Sequence, residues 1–437
     1  MTAAAKSKTV EIPGAQWVST ALEAAKVHRS NTSFNAMADE ARAVWEKVLF
    51  PTPRQEAWKY TDTDAIAKGA FSLSRDASSS VTAQEIAPFL IPDLSAYLLV
   101  FVNGVFSDTL SNTETVTGVA IQRLGAGDKA AFGSLGQHKD EAFAALATAL
   151  TTDALSLEVS RGAVVTRPFH VINLVTEKGA SNVFAPRLVV TAHEQSQITI
   201  IESAVSTKAI KYLSLPIVEI SAADGAIVDY YKLQDESQEA YHVSSMTVAQ
   251  GRASSVSAHI FSFGGALVRN NVTNLLKGSG ATSVLNGLSV LNGSQHVDNS
   301  TLIHHIEPSI ESREHFKGIY ADESRGVFSG TITVDQIAQK TNAFQSNQAL
   351  LLSPSASIET RPQLKIWADD VKCTHGATVG QLDDDAMFYL RSRGVGLEEA
   401  RGFLIHAFAS EVLTTCTVEP LRQHVEGVIS RKLGVGR

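Results

Sequence analysis

The chain has 437 residues, 44% of them apolar and 19% charged, with a formal net charge of −8 and only two cysteines. That balance excludes wholesale disorder, a disulfide-built fold and general nucleic-acid binding, which needs a cationic surface. The opening Met1-Thr2-Ala3-Ala4-Ala5-Lys6 lacks the apolar core of an export signal. The apolar stretch at residues 97–106 is broken by Asn103-Gly104 and is too short to span a membrane. The expectation is a soluble cytoplasmic protein, or an organellar stromal one that has lost a transit peptide.

The chain divides by texture into residues 1–94, 95–380 and 381–437. In the first part Met37, Ala41, Val44, Trp45 and Val48 recur at helical spacing. Phe50-Pro51-Thr52-Pro53 stops that helix, and the Ser-rich residues 72–80 read as a connecting loop.

The second part has one short helical pattern, residues 142–150, and otherwise consists of short β-branched or apolar runs between Gly, Asn, Asp and Ser. A small or polar turn followed by an apolar residue recurs at Ile198, Ile227, Val256 and Val284, spaced by 29, 29 and 28 residues. Gly326-Val327 and Ala356-Ser357-Ile358 extend it at wider gaps. A near-constant period of this length predicts stacked coils of parallel strands, a solenoid that can outgrow the usual size of one domain. The competing reading is an irregular antiparallel sandwich.

The third part returns to helix. Asp383-Asp384-Asp385 caps a first helix carrying Met387, Phe388 and Leu390, and Gly394 ends it. A second helix spans 397–413, with Ala400, Leu404, Phe408 and Val412 on one stripe. A third follows Pro420 with Leu421, Val425, Val428 and Leu433.

Motifs for chemistry are scarce. The nearest approach to a phosphate loop, Gly394-Val395-Gly396, lies between helices and reads as a helix end and turn. The chain carries neither a nucleophile elbow nor a C-x-x-C or H-E-x-x-H zinc motif. One constellation stands out: Asp369-Asp370-Val371-Lys372-Cys373-Thr374-His375-Gly376. If Leu364-Lys365-Ile366-Trp367 is strand and the strand continues, period 2 puts Cys373 and His375 on one face. A thiolate and an imidazole can converge there on a borderline metal ion, with Asp369 and Asp370 placed to orient the imidazole. Two ligands do not close a site, and spacing alone favours a half-buried thiol beside a surface histidine. His304 and His305 are adjacent and face opposite ways in a strand. Glu307, Glu311, Glu314 and His315 read as a polar loop, and Cys416 as a packed, inert thiol.

The run from Ala368 through Gly380 resembles the signature of the SufD branch of the SufB/SufD family. So do Leu382-Asp383, Phe388-Tyr389-Leu390-Arg391-Ser392-Arg393-Gly394, Phe316-Lys317-Gly318-Ile319, Gly326-Val327-Phe328-Ser329-Gly330, Gln339-Lys340-Thr341 and, near the front, Glu56-Ala57-Trp58-Lys59-Tyr60-Thr61. The resemblance spans nearly the whole chain. It implies an N-terminal helical domain, a right-handed parallel β-helix and a C-terminal helical domain. It also implies a non-catalytic scaffold that pairs with SufB through the β-helices and docks the ATPase SufC through its C-terminal helices, binding no nucleotide itself. Together these subunits build a transient iron–sulfur cluster from sulfur supplied by a cysteine desulfurase system. His375 matches the family histidine at the SufB–SufD interface, and Cys373 the neighbouring cysteine. Residues 383–412 correspond to the SufC-docking segment, with Asp383, Phe388, Tyr389, Leu390, Arg391, Arg393 and Gly394 as its contacts. SufB carries a cysteine where this chain has Ser346 and an acidic residue where it has Gly376, so the resemblance is to SufD. The rivals are a β-helix enzyme acting on polysaccharide and a purely structural solenoid.

Overall fold

The computed structural model describes residues 15–29, 32–73, 81–112, 115–124, 132–136, 139 and 141–434. The reading of residues 1–6 and most of the expected 72–80 loop fall outside them.

Consecutive strands of the middle region alternate between a ten-stranded and an eleven-stranded sheet. Each pairs in parallel with the strand one coil away: Thr282 with Glu311, Glu311 with Asn342, and Asn342 with Lys372 in the first sheet. Leu267 with His296, His296 with Arg325, and Arg325 with Ser357 follow the same rule in the second. One coil is therefore one strand from each sheet plus two turns. The protein is mainly β, a parallel β-helix flanked by helices at both chain ends, as expected.

The repeat itself needs correction. The true column is Ile198, Val228, Val256, Ser283, Ser312, Ala343 and Cys373. Ile227 sits one residue off it and is 41% exposed while Val228 is fully buried; Val284 is likewise displaced by one. Val327 and Ile358 belong to the other sheet. Apolar side chains cover both faces of the central strands, so hydrophobicity marks the strand without marking which face looks inward.

Helices cover the outer faces. α1 (Gln16–His28), α2 (Thr32–Val48), α3 (Asp64–Ala67) and α4 (Ala83–Ile86) precede the coils, and α5 (Ala142–Leu150) interrupts their start. α1, α2 and α5 pack together against Leu213, Leu215, Ile217, Val243 and Leu267 of the eleven-stranded sheet. The buried stripe of α2 is Phe34, Ala38, Ala41 and Trp45, rotated from the predicted one; Val44 packs at its margin and Val48 is 44% exposed.

The Glu56–Thr61 motif is a clasp on this sheet. The Arg269 guanidinium lies 3.9 Å from the Trp58 ring centroid and pairs with Asp298, both side chains being 2% exposed. Thr61 donates its hydroxyl to the same carboxylate and contacts His296 at 3.0 Å. Glu56 pairs with Arg361 at 2.6 Å.

At the other end come α6 (Asp384–Ser392), α7 (Leu397–Leu413) and α8 (Glu419–Leu433). Asp383 caps α6 by accepting from the backbone N–H groups of Asp385 and Ala386 at 2.9 and 3.0 Å. Gly394 follows with φ +89°, a left-handed conformation that suits glycine. α7 and α8 lie on the outer face of the ten-stranded sheet, with Ile405, Ala409, Val412, Leu421 and Val425 against Tyr231, Phe261, Leu288 and Ile319. Leu404 and Phe408, expected on the buried stripe of α7, are only half-buried. Among the described residues no helix is long and apolar enough to cross a membrane.

Candidate site at the open end of the coil

The last strand, Lys372–Gly380, pairs on one side only, with Asn342–Leu351. Among the described residues its other edge has no partner strand, and most of it is exposed. Cys373 continues the inward column through Ser312 and Ala343. His375 continues the neighbouring one through Leu285, Glu314 and Gln345. The two side chains therefore share the inward-facing side, as period 2 predicts. Cys373 is half-buried, and that burial pushes its thiol up, partly offset by a hydrogen bond with the Ala343 backbone. His375 is exposed.

Asp370 does not orient the imidazole. Its carboxylate pairs with Lys340 and its N–H donates to Gln339 at 2.8 Å, which ties the turn before the strand. Among the described residues no group of three or more His, Cys, Asp or Glu converges on one point. Cys373 and His375 are two candidate donors at the last strand, too few to close a metal site.

Of the residues read as a polar loop, Glu307 does lie in a bend, but Glu311, Glu314 and His315 belong to a strand, Glu311–Tyr320, which holds the residue that sequence reasoning missed. Glu314 points into the lumen and is completely buried. Gln345, also completely buried, donates Nε2–H to its carboxylate at 2.6 Å. Burial raises this carboxyl to about 7, moderated by Gln345 and Thr301. The available signal was spacing: Glu314, Gln345 and His375 are 31 and 30 residues apart, one coil each.

The other candidates resolve as packing. His305 faces inward onto Ser312 Oγ at 2.9 Å, and burial lowers its pKa to about 4. His304 faces outward onto Asp335 at 2.9 Å. Cys416 is buried under the tail, its thiol pushed up to about 11, which leaves it unreactive.

The C-terminal helices differ in attachment. Lys317, buried in the sheet, donates to the Phe408 carbonyl at 3.0 Å and pairs with Glu411 at 2.6 Å. His259 meets Thr415 at 2.9 Å, Tyr231 meets Thr417 at 2.9 Å, and Lys432 donates to Gln295 at 2.6 Å. These contacts pin α7 and α8. By contrast α6 buries none of its residues. Phe388 is 73% and Tyr389 57% exposed, and Arg393 lies over the Tyr389 ring at 5.0 Å. Leu390 is half-buried and Arg391 exposed. Asp384, Met387, Phe388, Arg391 and Ser392 line a shallow groove along the helix.

Comparison with known proteins assigns this architecture. The family model described as the SUF system FeS cluster assembly SufBD core domain matches residues 174–408, more than half the chain, and that of the SufBD N-terminal region matches residues 21–171. The chain belongs to the SufBD family. It is 31% identical over 402 residues to the iron–sulfur cluster assembly protein SufD of Escherichia coli, covering 88% of this chain and 90% of that one. It is 33% identical over 395 residues to an iron–sulfur cluster assembly SufBD family protein of Synechocystis, covering 87% of each. A chloroplastic protein of Arabidopsis thaliana is 33% identical over 288 residues, 63% of this chain. The SufBD core match takes in the terminal strand, α6 and most of α7. Ser346 and Gly376 are register neighbours on the outward side of the last two strands of their sheet.

Proposed function

We propose that the protein is the SufD-type scaffold of an iron–sulfur cluster assembly complex, without catalytic activity or bound nucleotide of its own. It pairs with a SufB-type β-helix at the Lys372–Gly380 end and anchors a SufC-type ATPase on α6. It contributes His375 and Cys373 to a cluster held only while it is being built, with sulfur arriving from a cysteine desulfurase system. Residues 1–94 and 381–437 act in this reading as helical modules on a 95–380 core, in the cytoplasm or an organellar stroma.

The observation that carries the reading is the terminal strand itself. It offers an unpaired edge, which attracts another strand, and on the same strand an inward-facing thiol and imidazole that are too few to close a site. The cluster is cargo, and an open, two-donor mouth suits cargo that must leave. The exposed groove of α6 supports the ATPase assignment. α7 and α8 are pinned to the sheet, so a pull on α6 is passed to the wall of the coil that carries Glu314 and His315. Nucleotide-driven movement of the ATPase thereby has a mechanical route to the mouth.

The test is co-purification of the tagged chain with its SufB- and SufC-type partners, followed by anaerobic reconstitution read by visible absorption. One copy of this chain with one SufB and two SufC is expected, with colour lost in His375→Ala while the complex stays assembled. A chain that stays alone and colourless would return the structural-solenoid reading.

A further inference from the structure

One to two coils inside the mouth, four buried side-chain oxygens line the lumen: Glu314 Oε1, Gln345 Oε1 and Asn347 Oδ1, which have no hydrogen-bond donor among the described residues, and Thr301 Oγ1, whose hydroxyl lies beside Glu314. Their residues are 0%, 0%, 3% and 4% exposed, so bulk solvent does not satisfy them. Glu314 and Gln345 are register neighbours joined by their own hydrogen bond. Asn347 is two residues further along the same strand and faces the same way. Thr301 reaches Glu314 from the opposite sheet, close enough to ease its ionisation.

Gly330 keeps the arrangement open. A methyl group there would lie 2.4 Å from Gln345 Nε2, so the absence of a side chain lets the amide extend across the lumen. Leaving one buried acceptor unpaired costs about 1–3 kcal/mol. A carboxylate, two amide carbonyls and a hydroxyl form a hard, all-oxygen donor set, which suits a divalent cation and also supplies a counter-charge. A neutral water would satisfy acceptors without balancing the carboxylate.

We propose that Glu314, Gln345, Asn347 and Thr301 form a site for a hard divalent cation, ferrous iron in the working complex, one to two coils inside the Cys373–His375 mouth. Only the identification with iron rests on the function proposed above; the oxygen site stands without it. Oxygen ligands inside and sulfur and nitrogen ligands outside sort the two positions by hardness. The inner one holds the free cation, and the outer one takes it once sulfur is present.

The experiment uses the purified full-length chain and Mn²⁺ as probe, with free Mn²⁺ read by electron paramagnetic resonance and binding by calorimetry. One Mn²⁺ per chain is expected. Glu314→Gln should weaken it at least tenfold, and Gln345→Glu, which adds a second carboxylate, should tighten it several-fold. The double variant Cys373→Ala/His375→Ala should bind within twofold of the parent. No binding by the parent, equal binding by Glu314→Gln, no tightening in Gln345→Glu, or loss in the double variant would each overturn the proposal. If Glu314→Gln does not fold, Gln345→Glu decides alone. If the Mn²⁺ pattern holds while the partner complex fails to form, the function reading falls and the cation site remains.

Discussion

The two ends of the β-helix are finished in opposite ways. At the N-terminal end both sheets close with short antiparallel pairings: Tyr97–Val102 with Val105–Phe106, and Val119–Arg123 with Ala154–Val159. An antiparallel return blunts an edge because the chain itself occupies it. Helices α1, α2 and α5 then cover the eleven-stranded sheet from outside, while the Trp58–Arg269–Asp298 clasp holds the strands Leu267–Leu276 and His296–His305, further toward the C-terminal end. At the C-terminal end the coil simply stops. Burial falls from the almost continuous pattern of Tyr241–Gln250, through the alternation of Asn342–Leu351, to the mostly exposed Lys372–Gly380. Terminal repeats of a stable solenoid need a cap. The uncapped end is thus where the fold is incomplete by itself, and Cys373, His375 and the buried Glu314 all lie there.

Four substitutions would break or sharpen this contrast. The largest effect belongs to the clasp that holds the N-terminal segment on the eleven-stranded sheet. Asp298→Ala strands the buried Arg269 charge and should cost about 3–5 kcal/mol in urea unfolding. A loss below about 1 kcal/mol would show that the clasp does not hold the N-terminal segment to the sheet.

Next comes Glu314, where the effect has the opposite sign. Its folded carboxyl titrates near 7 against an ordinary 4.5. Between those values the folded protein holds a proton that the unfolded chain releases. Stability is therefore lost as pH rises through that window. Glu314→Gln should be the more stable protein at pH 8, without added cation, by up to about 3 kcal/mol, and the advantage should vanish by pH 4. Burial lowers His170, His259 and His305 to about 4, and they weaken the fold in acid instead. Their contribution cancels when parent and variant are compared at each pH. A pH-independent difference would argue against a buried acid in the lumen.

Smaller again is Phe388→Ala on α6. The exposed ring contributes little to the fold, so thermal unfolding should hardly move, while ATPase affinity should fall by about 1–2 kcal/mol, roughly five- to thirtyfold. Unchanged affinity in a binding titration would move the docking site off this helix. The smallest effect on stability is expected for His375→Ala, within about 0.5 kcal/mol, because the imidazole is exposed. A large destabilisation would make the open end part of the fold's own support, contrary to the contrast drawn here.

Much of the molecule was legible residue by residue. Asp383, Pro420 and Gly394 act locally on backbone groups, and they mark the C-terminal helices where the sequence places them. The alternation Cys373-Thr374-His375 likewise needs only strand geometry to put thiol and imidazole on one side. What failed was anything that depends on which coil lies beside which. A period near 30 residues survives a slip of one, and one residue reverses the face of a strand. Ile227 and Val284 therefore keep the spacing of the repeat while standing one residue off the inward column. For the same reason Glu314 passed for a loop residue, since its local sequence is polar and only stacking against Gln345 buries it.

The sequence by itself determined the helix ends, the strand texture, the family and the pairing of Cys373 with His375, because each is written in neighbouring residues or in long matched motifs. Only the tertiary structure decided the coil register, the association of α5 with α1 and α2, the burial of Glu314 and the bare edge at Lys372–Gly380. Those features arise from contacts between residues about 30 or more positions apart, whose energies no local pattern carries.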